Sequence, residues 1–132
     1  MYGAMTDPQD ALESLAVGDI FHARASNGAS LICLVTALDD TTIYARRIHT
    51  QDNERFDRKT GAEWSNADTK VDCAAPLPPD IHDIFVRLDE RYQEQAALVR
   101  EGLEPDMMQA RWTPDERRAH DFLRAHVSTH PI

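Results

Sequence analysis

The sequence predicts an α+β fold, a small and strongly curved antiparallel β-sheet followed by two or three α-helices. Three observations carry that prediction. From Ile20 to Trp64, short apolar and β-branched runs alternate with turn formers and show no helical period, as strands joined by hairpins do. From Asp80 onward apolar residues recur at helical spacing instead. Between these stretches lies Ala74-Ala75-Pro76-Leu77-Pro78-Pro79, where the prolines supply no ladder donors and the chain reads as a stiff extended connector. A chain of 132 residues is long enough for one ordinary core. The expected organisation is a short helix plus sheet over 1–72, a connector at 73–79, and a helical part over 80–132 packed on the sheet as one unit.

Asp7-Pro8-Gln9-Asp10 offers an Asx cap and a proline at the first helical position, and Ala11, Leu12 and Leu15 follow on one face, so a helix is expected over 8–15. Val17-Gly18-Asp19 breaks it. Residues 20–25 can be extended up to Asn27-Gly28, a tight-turn pair, and Leu31 to Leu38 is nearly all apolar, the mark of a strand buried on both faces. Asp39-Asp40 turns the chain into Thr41 to Ile48. A third hairpin is expected at Arg55 to Gly61, with Asp57 as turn former, Gly61 at the left-handed position, and Glu63 and Trp64 on the returning strand. In architecture, such a set of short hairpin-linked strands resembles the small SH3-like barrels, a likeness of fold and not of family.

Asp80 reads as the cap of the strongest helix, whose apolar face runs through Ile81, Ile84, Phe85, Leu88, Tyr92, Ala96 and Val99 and stops at Gly102. Its opposite side, with Arg87, Asp89, Glu90, Arg91 and Glu94, reads as a solvated face in which the i,i+4 pairs repel. Thr113-Pro114-Asp115-Glu116 matches a capping box with proline at the first helical position, and predicts a last helix over 114–127.

Composition narrows the function classes. With 23 acidic and 14 basic side chains the net charge is −9, which disfavours a polyanionic partner. No window approaches the roughly 20 apolar residues of a membrane span, and Met1 to Asp10 has no leader-like apolar stretch, so no membrane association and a cytoplasmic location are expected. Two cysteines, Cys33 and Cys73, lack C-x-x-C spacing and read as free thiols; Cys33 suits a buried strand, and Cys73, beside the connector, reads as the more exposed. No nucleophile elbow and no phosphate-cradling glycine loop occurs. His126 and His130, four apart, are the one short-range histidine pair of metal-ligand spacing. A more distant set of His22, Cys33, His49 and Cys73 would need strand pairing to converge. Catalytic, cofactor and metal residues are accordingly assigned as none.

Two surfaces remain. Tyr44, Arg46, Arg47, Arg55, Phe56, Arg58 and Lys59 form a basic and aromatic segment, five basic against three acidic side chains over 44–59, and could contact nucleic acid if gathered on one face. Met107, Met108 and Trp112 sit in the least regular stretch and suit an adaptable protein contact. The sequence therefore reads first as a non-enzymatic protein-interaction module, with self-association through helix 81–99. Nucleic-acid binding through 44–59 is the alternative, and a metal or catalytic site built on His22, His49 and Cys33 ranks third.

Overall fold

Alternation in the longest apolar run sets the layers. Leu31, Cys33 and Val35 point to one side of their strand and Ile32 and Leu34 to the other, and both sides are covered by other elements. The computed structural model of the protein describes residues 8–103 and 112–132. Over these the order is α1 (Pro8–Glu13), β1 (Ile20–Arg24), β2 (Ser30–Leu38), β3 (Thr42–Arg47), β4 (Asn53–Asp57), β5 (Lys70–Cys73), α2 (Pro79–Arg100) and α3 (Pro114–Thr129). The five strands form one antiparallel sheet in the order β4-β3-β2-β1-β5.

The sheet curls into a half barrel. Register shifts at Val35/Ala37 between β2 and β3, and at His22/Ala23 between β1 and β5, bend the strands where they fall. The segment after the third turn then reaches both edge strands. Asp57 N–H donates to the Ala62 carbonyl at 2.7 Å, Trp64 N–H to Arg55 at 2.9 Å, and Val71 N–H to Gly61 at 2.9 Å. Gly61 makes this approach possible. Its φ is +77°, and a Cβ there would lie 3.3 Å from Val71 Cβ and 3.5 Å from a Leu12 methyl. The expected return strand at Glu63 and Trp64 is thus only a pair of isolated bridges, Phe56 to Glu63 and Ala62 to Lys70. The pairing strand is β5, Lys70–Cys73, which straddles the expected boundary between the sheet part over 1–72 and the connector at 73–79.

The concave side holds Phe21, Ala23, Leu31, Cys33, Val35, Ile43, Ala45, Phe56 and Val71, closed by Leu12 and Leu15 from the first helix and its exit. Phe21 and Phe56 meet edge to face with ring centroids 5.2 Å apart. Cys73 is buried at 2% exposure, a correction to its expected exposure, because it lies on β5 opposite His22 and not on the open connector. The convex side packs Ile20, Ile32 and Ile48 against Ile81, Ile84, Phe85 and Leu88 of α2 and Ala119 and Leu123 of α3.

Helix starts follow the sequence with one shift. α2 begins at Pro79 with Pro78 as its cap residue, so Asp80 lies in the first turn, where it suits the helix dipole, and is not the cap. The α3 capping box is present in full: Thr113 Oγ1 accepts from Glu116 N–H at 3.2 Å, and a Glu116 carboxylate oxygen accepts from Thr113 N–H at 3.1 Å. No helix among the described residues is long and apolar enough to cross a membrane.

Candidate functional site

The basic segment divides between the two faces of the sheet. Arg46 faces α2, where its guanidinium donates to both carboxylate oxygens of Asp89 at 3.1 and 2.7 Å. Asp89 is only 2% exposed and also accepts from the Gln51 side chain at 2.9 Å, so the expected solvated position is a buried tie between sheet and helix. Arg47, one residue on and therefore on the other face, pairs with Glu54 at 2.8 Å. Arg58 donates to the carbonyls of Asp39 and Glu13 at 2.8 and 3.2 Å, binding the hairpins to the end of α1. Tyr44 hydroxyl donates to Asp39 at 3.0 Å. Phe56 is wholly buried in the concave core and presents no ring for stacking. Arg55 and Lys59 are exposed. The segment is thus spread over two faces and a turn.

Trp112 is brought into a cluster that local spacing could not show. Its indole stacks on the His120 ring with centroids 3.7 Å apart and planes 11° from parallel, and remains 41% exposed. His120 Nδ1–H donates to the Glu116 carbonyl at 2.6 Å. Its Nε2 is then the acceptor for His49 Nε2–H at 3.0 Å. Burial pushes the His49 imidazole down to about 4, with the neighbouring His120 adding to the shift, and burial lowers His120 as well. Tyr92 and Phe85 enclose the pair, and Arg91 binds both oxygens of Glu116 below it. The face of α2 carrying Arg87 and Arg91 is therefore not repulsive: Arg87 pairs with Asp83 at 3.0 Å and Arg91 reaches across to α3. Met107 and Met108 lie outside the described residues.

Beside Trp112 opens a cleft of about 250 Å³ between the β1–β2 hairpin and α3. Ile32, Leu123 and Val127 supply apolar wall, while His22, Arg24, Ser30, His120, Arg124 and Ser128 supply polar wall. His22 is 5% exposed and its Nδ1 is bonded to Asp72 at 2.5 Å, with Arg24 3.4 Å from the other Asp72 oxygen. The Nε2 of His22 has no partner among the described residues. A second hollow of about 620 Å³ lies under the connector, lined by α1, Pro76, Leu77 and 129–132. Its polar groups are already used: His82 Nε2–H donates to Gly18 at 2.7 Å, and an Asp19 oxygen accepts from Ala16 N–H at 2.8 Å.

The imagined set of His22, Cys33, His49 and Cys73 does not gather. Cys33 lies in the concave core and His22 on the cleft side, whereas His49 belongs to the His120 pair. His126 donates to the Ala75 carbonyl at 3.1 Å and pins the connector to α3. Among the described residues no group of three or more potential ligands could hold a metal ion. No protein-family model matches the chain, and no curated protein and no solved structure matches it either.

Proposed function

We propose that the protein is a non-enzymatic protein-interaction module built on an SH3-like barrel and acting in the cytoplasm, with its contact surface at the Trp112 cleft. The observation that carries this reading is the half-exposed Trp112, stacked on His120 beside a partly apolar cleft that Arg124 also lines. Tryptophan and arginine beside a pocket are the side chains on which binding energy concentrates. The barrel part is supported by the 61–64 segment bonding to both edge strands. Two buried free thiols suit a reducing compartment. The nucleic-acid alternative keeps only Arg55 and Lys59 as free-standing exposed cations of its segment, since Arg46, Arg47 and Arg58 are engaged.

The test is affinity purification from the source cells with the native sequence, Trp112→Ala, Arg124→Glu and, as control at the other exposed indole, Trp64→Ala. A partner present with the native and control proteins and lost from the two cleft variants is expected. The same proteins recovered with all four would overturn the reading. Self-association through the last turns of α2, where Val99 is 57% exposed, is checked by light scattering; a monomer at every concentration removes that part.

A further inference from the structure

The contact between His49 and His120 joins the β3–β4 connection to the middle of α3, and the number of protons it can hold is limited. The two Nε2 atoms are 3.0 Å apart, so one carries a hydrogen and the other presents a lone pair. The Glu116 carbonyl can only accept, at 2.6 Å, which places the hydrogen of His120 on Nδ1 and leaves its Nε2 to receive from His49. One added proton does not break the contact. Placed on His49 Nδ1, it gives an imidazolium that still donates to His120; placed on His120 Nε2, it is accepted by His49 once that ring carries its own hydrogen on Nδ1. A second proton leaves no lone pair between the rings. Two N–H groups and two positive charges then face each other at hydrogen-bond distance.

The surroundings set where on the pH scale this happens. Phe85 and Tyr92 of α2 and the indole of Trp112 close round the two rings. Burial holds both imidazoles below the ordinary histidine range, His49 at about 4. The charged and titratable groups around the pair are Glu116, Asp121 and Arg124 on α3, Arg91 and Tyr92 on α2, and, across the cleft, His22 and Arg24 on β1 with Asp72 on β5. Glu116 favours a positive ring, but its carboxylate oxygens already serve Arg91 and the Thr113 N–H.

One side of the contact is anchored more firmly than the other. Ile48, next to His49, is wholly buried and its N–H donates to the Ile32 carbonyl at 2.9 Å, while the Gln51 side chain ties the same turn to Asp89 at 2.9 Å. By contrast α3 buries two apolar side chains in its 16 residues, Ala119 and Leu123, where α2 buries Ile81, Ile84, Phe85 and Leu88. Elements with few buried apolar contacts are the ones that open locally. We propose that the His49–His120 pair is an acid-operated latch: holding at most one proton it fastens α3 to the β3–β4 connection, and holding two it releases α3 and Trp112 while the sheet and α2 stay folded. Release uncovers Phe85, which lies edge to face with His120, and Ile32, which shares a cleft wall with Leu123. Acid is thereby converted into exposed apolar surface.

Hydrogen exchange of the full chain, followed by NMR from pH 7 to pH 4 and corrected for the intrinsic pH dependence of amide exchange, tests the latch. Protection of the α3 amides is expected to fall at least about tenfold across that range while the β2 amides keep theirs. The ring signals of His49 and His120 should titrate as a coupled pair, with α3 opening at the second step. In His49→Gln the side chain takes up no proton, and its amide donates to His120 or, turned over, accepts from it, so the acid response of α3 should shrink to under about threefold. His130→Gln, at the exposed end of α3, should respond as the native chain does. Three results overturn the proposal: α3 protected down to pH 4, α3 and β2 losing protection at the same pH, or a native response in His49→Gln. If His49→Gln is unfolded at pH 7, the native chain decides alone: α3 opening in step with the second ring titration supports the latch, and opening out of step with it overturns the latch.

Discussion

Arg46 and Asp89 close a two-pronged ion pair, 3.1 and 2.7 Å, across the seam between β3 and α2. Side-chain exposures are 22% for Arg46 and 3% for Asp89, so the acid cannot recover water if its partner is lost. Asp89→Ala takes the buried acceptor away from Arg46 and from the Gln51 amide, which keeps only its bond to the Ile48 carbonyl at 2.8 Å. It should cost about 2–4 kcal/mol, somewhat under the full cost of breaking a buried pair because Arg46 keeps part of its hydration. Urea unfolding should show a lower midpoint with an unchanged slope, and a loss under about 1 kcal/mol would mean that the pair does not hold the seam.

The His49–His120 contact makes stability depend on pH. Both imidazoles are held below their ordinary range when folded, chiefly by burial, His49 at about 4. Above the ordinary histidine range both states are neutral and nothing is gained or lost. As the pH falls through 6.5 towards 4 the unfolded chain binds the extra protons, so stability declines. Between pH 7 and 5 the loss should be about 2 kcal/mol, and His49→Gln should flatten that slope; an unchanged slope in the variant would place the effect elsewhere.

Two glycines with positive φ should respond differently to alanine. At Gly28, φ +87°, no atom lies within 4 Å of the new Cβ, and the cost is the left-handed backbone alone, about 1 kcal/mol. At Gly61 the same penalty is joined by contacts at 3.3 Å to Val71 and 3.5 Å to Leu12, so Gly61→Ala should cost about 2–3 kcal/mol. Thermal unfolding of both variants decides it; equal losses would show that the bridge at 61–64 yields without strain.

Neither thiol should react in the folded protein. Burial pushes Cys33 up to about 12 and raises Cys73, and their exposures are 0% and 2%. A chromogenic disulfide reagent should find no fast thiol at pH 8 in buffer and both in urea. One rapid equivalent in buffer would contradict the burial of Cys73.

Much of the fold is legible because it is local. The apolar run over 31–38, the Asn27-Gly28 turn, Gly61 and the Thr113–Glu116 box each carry their own structural instruction within a few residues. β5 is not legible in this way, since Lys70-Val71-Asp72-Cys73 is short and half polar and becomes a strand only by pairing with β1. The site is less legible still. Arg46 and Arg47 look like one basic run, yet adjacent strand residues point oppositely, and their partners are Asp89, 43 positions away, and Glu54. His49 and His120 are 71 positions apart, and Asp72 is 50 from His22, so no spacing rule brings them together. Helical periodicity marked Asp89 as outward from the apolar stripe; the curl of the sheet brings β3 round to meet it.

The bonds that residues 61–64 make to β4 and β5 bear on how any partner can attach. A bare sheet edge offers an incoming strand a row of backbone donors and acceptors, and proteins that keep one are open to strand addition and to stacking on their own copies. Here Arg55 and Asp57 on one edge and Val71 on the other already spend those groups on the bridging segment. Recognition is thereby moved from main chain to side chains, and with it the capacity to discriminate: a partner must match the contours beside α3, because extended backbone alone finds little to zip onto.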